Sequence, residues 1–213
     1  MKPFLEKITP ELRGKLEKSG ILRTFYPDEI IFDFGSKAQN LPIIVSGKIK
    51  LVRYPELGKE VIIGLFQSGD MFAMPPVIDG GLYPATAVAL EETKLLLLHR
   101  DTFLQLMQTE AELSSNVTLV MCGLLRDTTA TIQNLATSSP EQRIATVLLG
   151  LAEKEKDGKI NLRRQDIAEM AGLTTETTIR VIRKLADKNL VKIVRGKIFI
   201  EQLERLRDFV NQI

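Results

Sequence analysis

The stretch from Thr174 to Leu185, "TTETTIRVIRKL", constrains the fold more than any other part of the chain. Four residues recur at the three- and four-residue spacing of a buried helical stripe, namely Thr178, Val181, Ile182 and Leu185. The other side of the same helix carries Glu176, Arg180 and Arg183, and Ile179 lies among them. The pattern therefore predicts an amphipathic helix whose polar face contains one unexplained apolar side chain.

The residues around this helix predict a helix-turn-helix. A first helix over about 164–171 is followed by a turn at Gly172, and Thr174 is a good N-cap for a second helix over about 175–187. Small or apolar residues are available for a shared core, namely Ile167, Ala168, Ala171, Leu173, Ile182 and Leu185. Two β-like runs flank Gly196 and predict a hairpin. The whole pattern is that of a winged helix-turn-helix.

In this motif the second helix enters the major groove of DNA, with its first turns facing base edges. We predict that the base-reading residues are Thr175, Glu176, Ile179 and Arg180. An arginine can donate two hydrogen bonds to guanine, a glutamate can accept one from cytosine N4, and an isoleucine can pack on a thymine methyl. The alternative is that Ile179 is a stray surface residue and that Glu176 and Arg180 form an ordinary i, i+4 ion pair.

The charge distribution supports a polyanion as the partner of this region. Residues 138–213 hold 15 basic and 11 acidic residues, a net charge of +4, whereas residues 1–137 hold 14 and 16, a net charge of −2. The predicted DNA-phosphate contacts are Arg163, Arg164, Thr174, Arg183, Lys184, Lys188, Arg195 and Lys197. Such contacts raise affinity without reading sequence.

The region from about 21 to 100 predicts a different kind of domain. Short β-rich runs alternate with turns, and Gly35, Gly47, Gly58 and Gly69 lie near the run boundaries. This texture predicts an antiparallel β-roll, similar to a jelly roll, within an α+β chain. A short helix with Thr9 as N-cap and Pro10 in its first turn is predicted before the roll, and a helix capped by Asp101 is predicted after it.

One long helix is predicted after the roll. An apolar ridge recurs along it, with Val117, Met121, Leu124, Thr128 and Leu135 as the predicted dimer contacts. A helix of about 25 residues spans nearly 40 Å, more than a small roll can cover, so we favour a homodimer over packing within one chain. Ser139 and Pro140 begin a new helix. The predicted domains are 1–109 for effector sensing, 110–137 for dimerisation and 138–213 for DNA binding.

Composition excludes several classes of protein. The sequence has no apolar run of the roughly 18–20 residues that a membrane helix needs, and no signal peptide pattern, so a cytoplasmic protein is expected. The single cysteine, Cys122, excludes an intrachain disulfide and a four-thiolate iron–sulfur or zinc site within one chain. With one histidine and no catalytic triad, phosphate loop or metal cluster, an enzyme is not expected.

The motifs resemble those of the CRP/FNR family of bacterial transcription regulators. "VSGKIKLVRYPELGKEVIIGLFQSGDMF" resembles the cyclic-nucleotide-binding-type roll of that family, and "RRQDIAEMAGLTTETTIRVIRKLADKNLVKIVRGKIFI" resembles its winged helix-turn-helix. The resemblance implies a homodimer that binds double-stranded DNA and RNA polymerase. Glu176 and Arg180 match the family's reading residues, whereas Ile179 replaces a common serine or glycine and Thr175 replaces an arginine of the cyclic-AMP branch.

The resemblance places the effector pocket at Met71, Phe72, Met74, Tyr83 and Ala85. Cyclic-AMP binders of the family present a Gly-Glu pair and an Arg-Ser pair, where this chain has Ala73-Met74 and Tyr83-Pro84, so cyclic AMP is not the expected effector. "GDMFAMPP" and Pro3 resemble the haem-containing carbon-monoxide sensors, but Pro75 stands where their ligand histidine would be. The only histidine, His99, lies at a strand-to-helix junction and is expected to be a solvent-side or capping residue. A haem-based gas sensor with another axial ligand, a redox sensor and an effector-free constitutive dimer stay open as alternatives.

Overall fold

The computed structural model describes residues 3–56, 59–153, 159–160 and 162–211. The chain forms two compact units, Met1–Arg126 and Asp127–Ile213, which we call the N-terminal and C-terminal units. Among the described helices, none combines the length and the apolar character needed to cross a bilayer.

The N-terminal unit is built from two antiparallel sheets. Its strands are β1 (Ile21–Phe25), β2 (Ile30–Phe32), β3 (Asn40–Ser46), β4 (Lys48–Glu56), β5 (Lys59–Gln67), β6 (Thr86–Ala89) and β7 (Thr93–His99). One sheet has the order β1-β7-β3 and the other has the order β2-β6-β4-β5. The predicted antiparallel roll is confirmed.

The core of this unit has two parts. One lies between the two sheets and includes Ile44 and Leu95, and the other lies between β3, β7 and the helices and includes Ile43 and Phe103. All four residues of β6 are buried, and β3 is buried from Leu41 to Ile44. Gly47 turns the chain from β3 into β4 with φ +99°, and a Cβ there would lie 2.7 Å from the Glu92 carbonyl oxygen. Gly35 and Gly69 also have positive φ, as their place at run boundaries suggested, whereas Gly58 lies outside the described residues.

Four helices accompany the roll: α1 (Pro10–Ser19), α2 (Met74–Asp79), α3 (Arg100–Thr109) and α4 (Ala111–Thr137). Thr9 caps α1 as predicted, because its Oγ1 accepts a hydrogen bond from the Leu12 amide at 3.3 Å. The prediction that Asp101 caps α3 is wrong. His99 is the N-cap, and its Nδ1 accepts from the Asp101 amide at 3.4 Å, because the helix begins one residue before Asp101.

The C-terminal unit contains the rest of α4 and a winged helix-turn-helix. Its elements are α5 (Pro140–Ala152), β8 (Lys159–Ile160), α6 (Arg164–Ala171), α7 (Thr175–Asp187), β9 (Lys192–Val194), β10 (Lys197–Phe199) and α8 (Leu203–Asn211). The three strands pair in the order β8-β10-β9. Ser139 begins α5 with a capping box through Gln142.

The core of the C-terminal unit joins α5, α6, α7 and the small sheet. Ile144, Leu148, Ile167 and Leu185 are fully buried in it, and Leu206 of α8 closes it. Leu173 is partly buried and packs against the same cluster. Five of the six core residues predicted for the motif therefore come together, and the sixth, Ala168, is buried.

Candidate nucleic-acid interface

The position of α7, the helix predicted to read DNA, is fixed by its cap and its inner face. Thr174 Oγ1 accepts a hydrogen bond from the Thr177 amide at 3.2 Å, which begins the helix at the predicted residue. The four residues of the predicted stripe, Thr178, Val181, Ile182 and Leu185, are each at most 3% exposed. Burial of one face determines which side chains the opposite face presents to solvent.

The turn before α7 aims the helix. Gly172 ends α6 in the left-handed conformation, with φ +61°, and its amide donates to the Glu169 carbonyl at 3.1 Å. The Leu173 amide donates to the Ala168 carbonyl at 2.9 Å. Glycine suits this position because it lacks a Cβ, and these two bonds close α6 so that α7 starts in a new direction.

The outer face of α7 presents the predicted reading group. Thr175, Glu176 and Arg180 are exposed, and Ile179 is 38% exposed. No described residue forms an ion pair or hydrogen bond with the side chain of Glu176 or Arg180. The alternative of an internal Glu176–Arg180 ion pair is thus not what the structure has, and both groups keep their hydrogen-bonding capacity for a ligand.

The wing is a tight hairpin whose tip carries a cation. Val194 pairs with Lys197, so the turn consists of Arg195 and Gly196. Both have positive φ, +48° and +78°, as a type I′ turn requires. Arg164 of α6 donates to the Gly196 carbonyl at 3.1 Å, and burial lowers the pKa of this arginine. The first turn of α6 and the wing tip are therefore joined.

Five of the predicted phosphate contacts divide into two groups. Arg183, Arg195 and Lys197 are exposed, and none has an ion-pair partner among the described residues. Arg163 instead binds Asp166, with its Nη2 2.9 Å from Oδ1. Lys184 binds Glu141, with its Nζ 3.2 Å from Oε1. These acidic partners are three and 43 residues away, and the second was invisible in the sequence because only packing brings α5 to α7.

Comparisons with known proteins match both units. A family model for the cyclic nucleotide-binding domain matches residues 22–110, and one for the Crp-like helix-turn-helix domain matches residues 142–209. The chain belongs to the CRP/FNR family of transcription regulators. The relatives that match this chain are transcription regulators rather than enzymes.

Individual CRP/FNR relatives align over nearly the whole chain. The cyclic AMP receptor protein of Thermus thermophilus is 28% identical, over 97% of this chain and 95% of its own. The crystal structure of the Thermus thermophilus catabolite activator protein has a TM-score of 0.58 at 26% identity and covers 99% of both chains. A variant of CooA from Carboxydothermus hydrogenoformans has a TM-score of 0.78 at 21% identity, over 98% of this chain and 96% of its own.

The residues predicted to line the effector pocket are core residues in this chain. Met71, Phe72, Met74, Tyr83 and Ala85 are each at most 5% exposed. Tyr83 stacks on Phe32 with ring centroids 3.7 Å apart, and its hydroxyl donates to the Asn40 carbonyl at 2.7 Å. Burial raises the pKa of the Tyr83 phenol, which the bond to Asn40 partly offsets. That these residues line an effector pocket stays a prediction.

The haem alternative finds little support in the position of His99. This residue caps α3, and its side chain is 59% exposed. Pro3 lies against Gly69, at the loop that follows β5. An exposed capping imidazole is not directed into the roll, so the residues present do not fit a histidine-ligated haem there.

Among its described side chains, the long helix α4 exposes only part of the predicted dimer surface. Val117 is 2% exposed and Met121 is partly buried, because both pack on the core of their own unit. The prediction that Val117 faces a partner is therefore wrong. Leu124 is 44% exposed and Thr128 is exposed, whereas the side chain of Leu135 lies outside the described residues.

A neighbouring row of α4 is exposed along its length. It consists of Thr118, Cys122, Leu125, Thr129 and Ile132, and we call it the outer row. Its members recur at alternating intervals of four and three residues, the spacing of a coiled-coil seam. Leu125 is 69% exposed and Ile132 is 62% exposed. Two such apolar side chains one heptad apart make this row the better candidate for contact with a second helix.

Proposed function

We propose that this protein is a homodimeric transcription regulator that binds a palindromic site in double-stranded DNA. Each copy inserts its α7 into a major groove, and the two copies read the two half-sites. The observation that carries the proposal is the outer face of α7, where Glu176, Ile179 and Arg180 are presented beside each other. The side chains of Glu176 and Arg180 have no hydrogen-bond or ion-pair partner among the described residues. RNA polymerase is the protein partner that such a role implies.

The chemistry of this face suits a mixed set of bases. Arg180 can donate two hydrogen bonds to O6 and N7 of one guanine, and Glu176 can accept from cytosine N4 one helical turn away. Ile179 is the apolar side chain between them, and a thymine methyl is the apolar group that the major groove offers. Arg183, Lys197 and the wing-tip Arg195 are exposed cations that suit phosphates on either side of the groove.

Dimerisation through the outer row of α4 is the second part of the proposal. The row is exposed in the single chain, yet it contains Leu125 and Ile132 at 69% and 62% exposure. A parallel pair of α4 helices would remove both from water and would relate the two recognition helices by a two-fold axis. A two-fold protein reads a palindrome, so the form of the DNA site follows from this contact.

We further propose that the signal sensed by the roll is not a cyclic nucleotide. The Thermus thermophilus relative is named a cyclic AMP receptor protein, but Met74 and Tyr83 replace the glutamate and arginine expected of cyclic-AMP binders. Arg53 lies at the same segment, stacked on Phe34 at 3.7 Å and donating to the Pro84 carbonyl at 3.0 Å. The bond to Pro84 uses one of the five N–H donors of the guanidinium. What disfavours a cyclic nucleotide is therefore the missing glutamate and arginine at Met74 and Tyr83.

Binding to a randomised palindrome library at fixed salt tests the DNA-reading proposal. Arg180→Ala should weaken binding by about 1–3 kcal/mol per half-site and relax the preference at one guanine. Ile179→Ser should relax the preference at a thymine by less, since only a small apolar contact is lost. Lys197→Ala, the matched control outside α7, should weaken all sequences about equally and flatten the salt dependence.

Two outcomes would contradict the proposal. If the library yielded no preferred palindrome for the unaltered protein, sequence-specific binding would be refuted. If Arg180→Ala and Lys197→Ala gave the same uniform loss with unchanged preference, α7 would not be the reading element.

A further inference from the structure

The first turn of α5 contacts the chain immediately before the recognition helix. Arg143 lies in this turn, and its Nη2 donates to the carbonyl oxygens of both Ala171 and Gly172, the second at 3.0 Å. These carbonyls are at the end of α6, where a helix carries partial negative charge. A guanidinium at this point neutralises them and fixes the turn that aims α7.

The same turn of α5 also contacts the far half of the recognition helix. The Glu141 carboxylate accepts hydrogen bonds from Lys188, the C-cap of α7, at 2.7 Å and from Lys184 of α7 at 3.2 Å. The bond from Lys188, followed by that from Lys184, lowers the pKa of the Glu141 carboxyl. Lys188 also lies over the Phe209 ring, 5.1 Å from its centroid. One carboxylate therefore holds two cations that are one helical turn apart.

These two contacts enclose the reading residues. Arg143 contacts the chain before Thr175, and Glu141 contacts two lysines that follow Arg180. Both residues belong to the helical turn that begins at the Ser139 capping box. That turn comes directly after the end of α4 at Thr137. A helix held at two separated points has less freedom to swing about its own core contacts than one held at a single end.

We propose that Glu141 and Arg143 are positioning residues for DNA recognition, and that α5 and α7 move as one body because of them. Glu141 has a second effect in this scheme. It keeps Lys184 and Lys188 bound to protein, so that these cations add little sequence-independent attraction to phosphates. The inference rests on the proposed function, and it assigns to Glu141 the selectivity between the palindrome and random DNA.

The test compares full-length Glu141→Gln and Arg143→Gln with a matched control, Glu153→Gln. Glu153 ends the same helix and binds a cation of another helix, Arg207 of α8 at 2.7 Å, so its loss removes the same charge without touching α7. Affinity for the selected palindrome and for a random duplex is measured as a function of salt concentration.

Glu141→Gln should raise affinity for the random duplex and steepen its salt dependence. The slope of log K against log salt should grow by up to about two per protomer, since each released lysine that reaches a phosphate adds about 0.9. The ratio of palindrome to random affinity should fall about fivefold or more, the size of a coupling between contacting residues. Arg143→Gln should weaken palindrome binding with an unchanged slope, and Glu153→Gln should change neither quantity.

A second background and a DNA-free measurement complete the test. In a Lys184→Met/Lys188→Met double variant, adding Glu141→Gln should have no further effect, and an undiminished effect would overturn the proposal. Hydrogen exchange without DNA should be faster for amides of α7, relative to α8, in Glu141→Gln and Arg143→Gln. Unchanged exchange in both would refute the two-point contact even if the unaltered protein bound no palindrome, so the two proposals fail separately.

Discussion

Replacement of Leu125 by glutamate is expected to dissociate the dimer. Complete burial of a leucine side chain stabilises by about 1.5–3 kcal/mol. Leu125 is 69% exposed in the single chain, so its burial against a partner contributes about 1–2 kcal/mol per copy and about 2–4 kcal/mol for the symmetric pair. Its loss alone corresponds to a dimer roughly 30- to 900-fold weaker.

The glutamate adds a further cost. Two carboxylates would meet near the two-fold axis without cationic partners, and an unpaired charge buried in an interface costs several kcal/mol more. Sedimentation equilibrium at micromolar concentration should therefore find Leu125→Glu monomeric and the unaltered protein dimeric. The variant should also lose its advantage for a full palindrome over a single half-site, because two linked recognition helices are needed for it.

Two control variants separate this account from general damage. Ala130→Glu adds the same charge at an exposed position of α4 outside the outer row, and it should leave the dimer intact. Val117→Glu should instead lower the melting temperature of the chain, because Val117 is buried in its own core. If Leu125→Glu kept the dimerisation constant of the unaltered protein, or if the unaltered protein were monomeric, the outer row would not be the interface.

Three further predictions follow from named contacts. Arg195→Asn should stabilise the hairpin by a few tenths to about 1 kcal/mol, since asparagine tolerates positive φ better, and thermal melting checks this sign. The same change should reduce the salt slope of DNA binding by about 0.9 per protomer, which a salt titration measures. Calorimetry should detect no micromolar binding of cyclic AMP or cyclic GMP, and such binding would contradict the reasoning from Met74 and Tyr83. The folded-state pKa of Glu141 lies below its ordinary 4.5, so its stabilisation is present above pH 4.5 and is lost as the pH falls through the folded value; the difference in unfolding free energy between the unaltered protein and Glu141→Gln should vanish in acid.

Local features of the C-terminal unit were predictable because their causes lie within a few residues. The caps at Thr174 and Ser139 bond to amides three residues away, and Gly172 and Gly196 lie where the backbone needs positive φ. The apolar period of α7 determined which face is buried, and hence that Ile179 and Arg180 share the other face. The antiparallel roll followed in the same way from alternation and turn residues.

The structure decided everything that depends on which surfaces meet. Both rows of α4 have coiled-coil spacing, and periodicity could not tell which one its own core covers; the fold buries Val117 and leaves Leu125 exposed. Lys184 has the positive charge expected of a phosphate contact, but the packing of α5 on α7 places Glu141 beside it. The N-cap of α3 is His99, two residues before the predicted Asp101. Both residues have side chains that can cap a helix, and His99 takes this role because β7 ends at it and the helix begins at the next residue.

The sequence by itself thus determined the kind of protein, a roll joined by a long helix to a winged helix-turn-helix, and the residues that α7 presents. Hydrophobic periodicity, helix caps and turns depend on residues only a few positions apart, so they can be recognised from the sequence alone. Only the tertiary structure decided which cations are free for DNA and which are bound to carboxylates. Ion pairs between α5 and α7 join residues more than 40 positions apart, and their formation depends on the packing of both helices on one core.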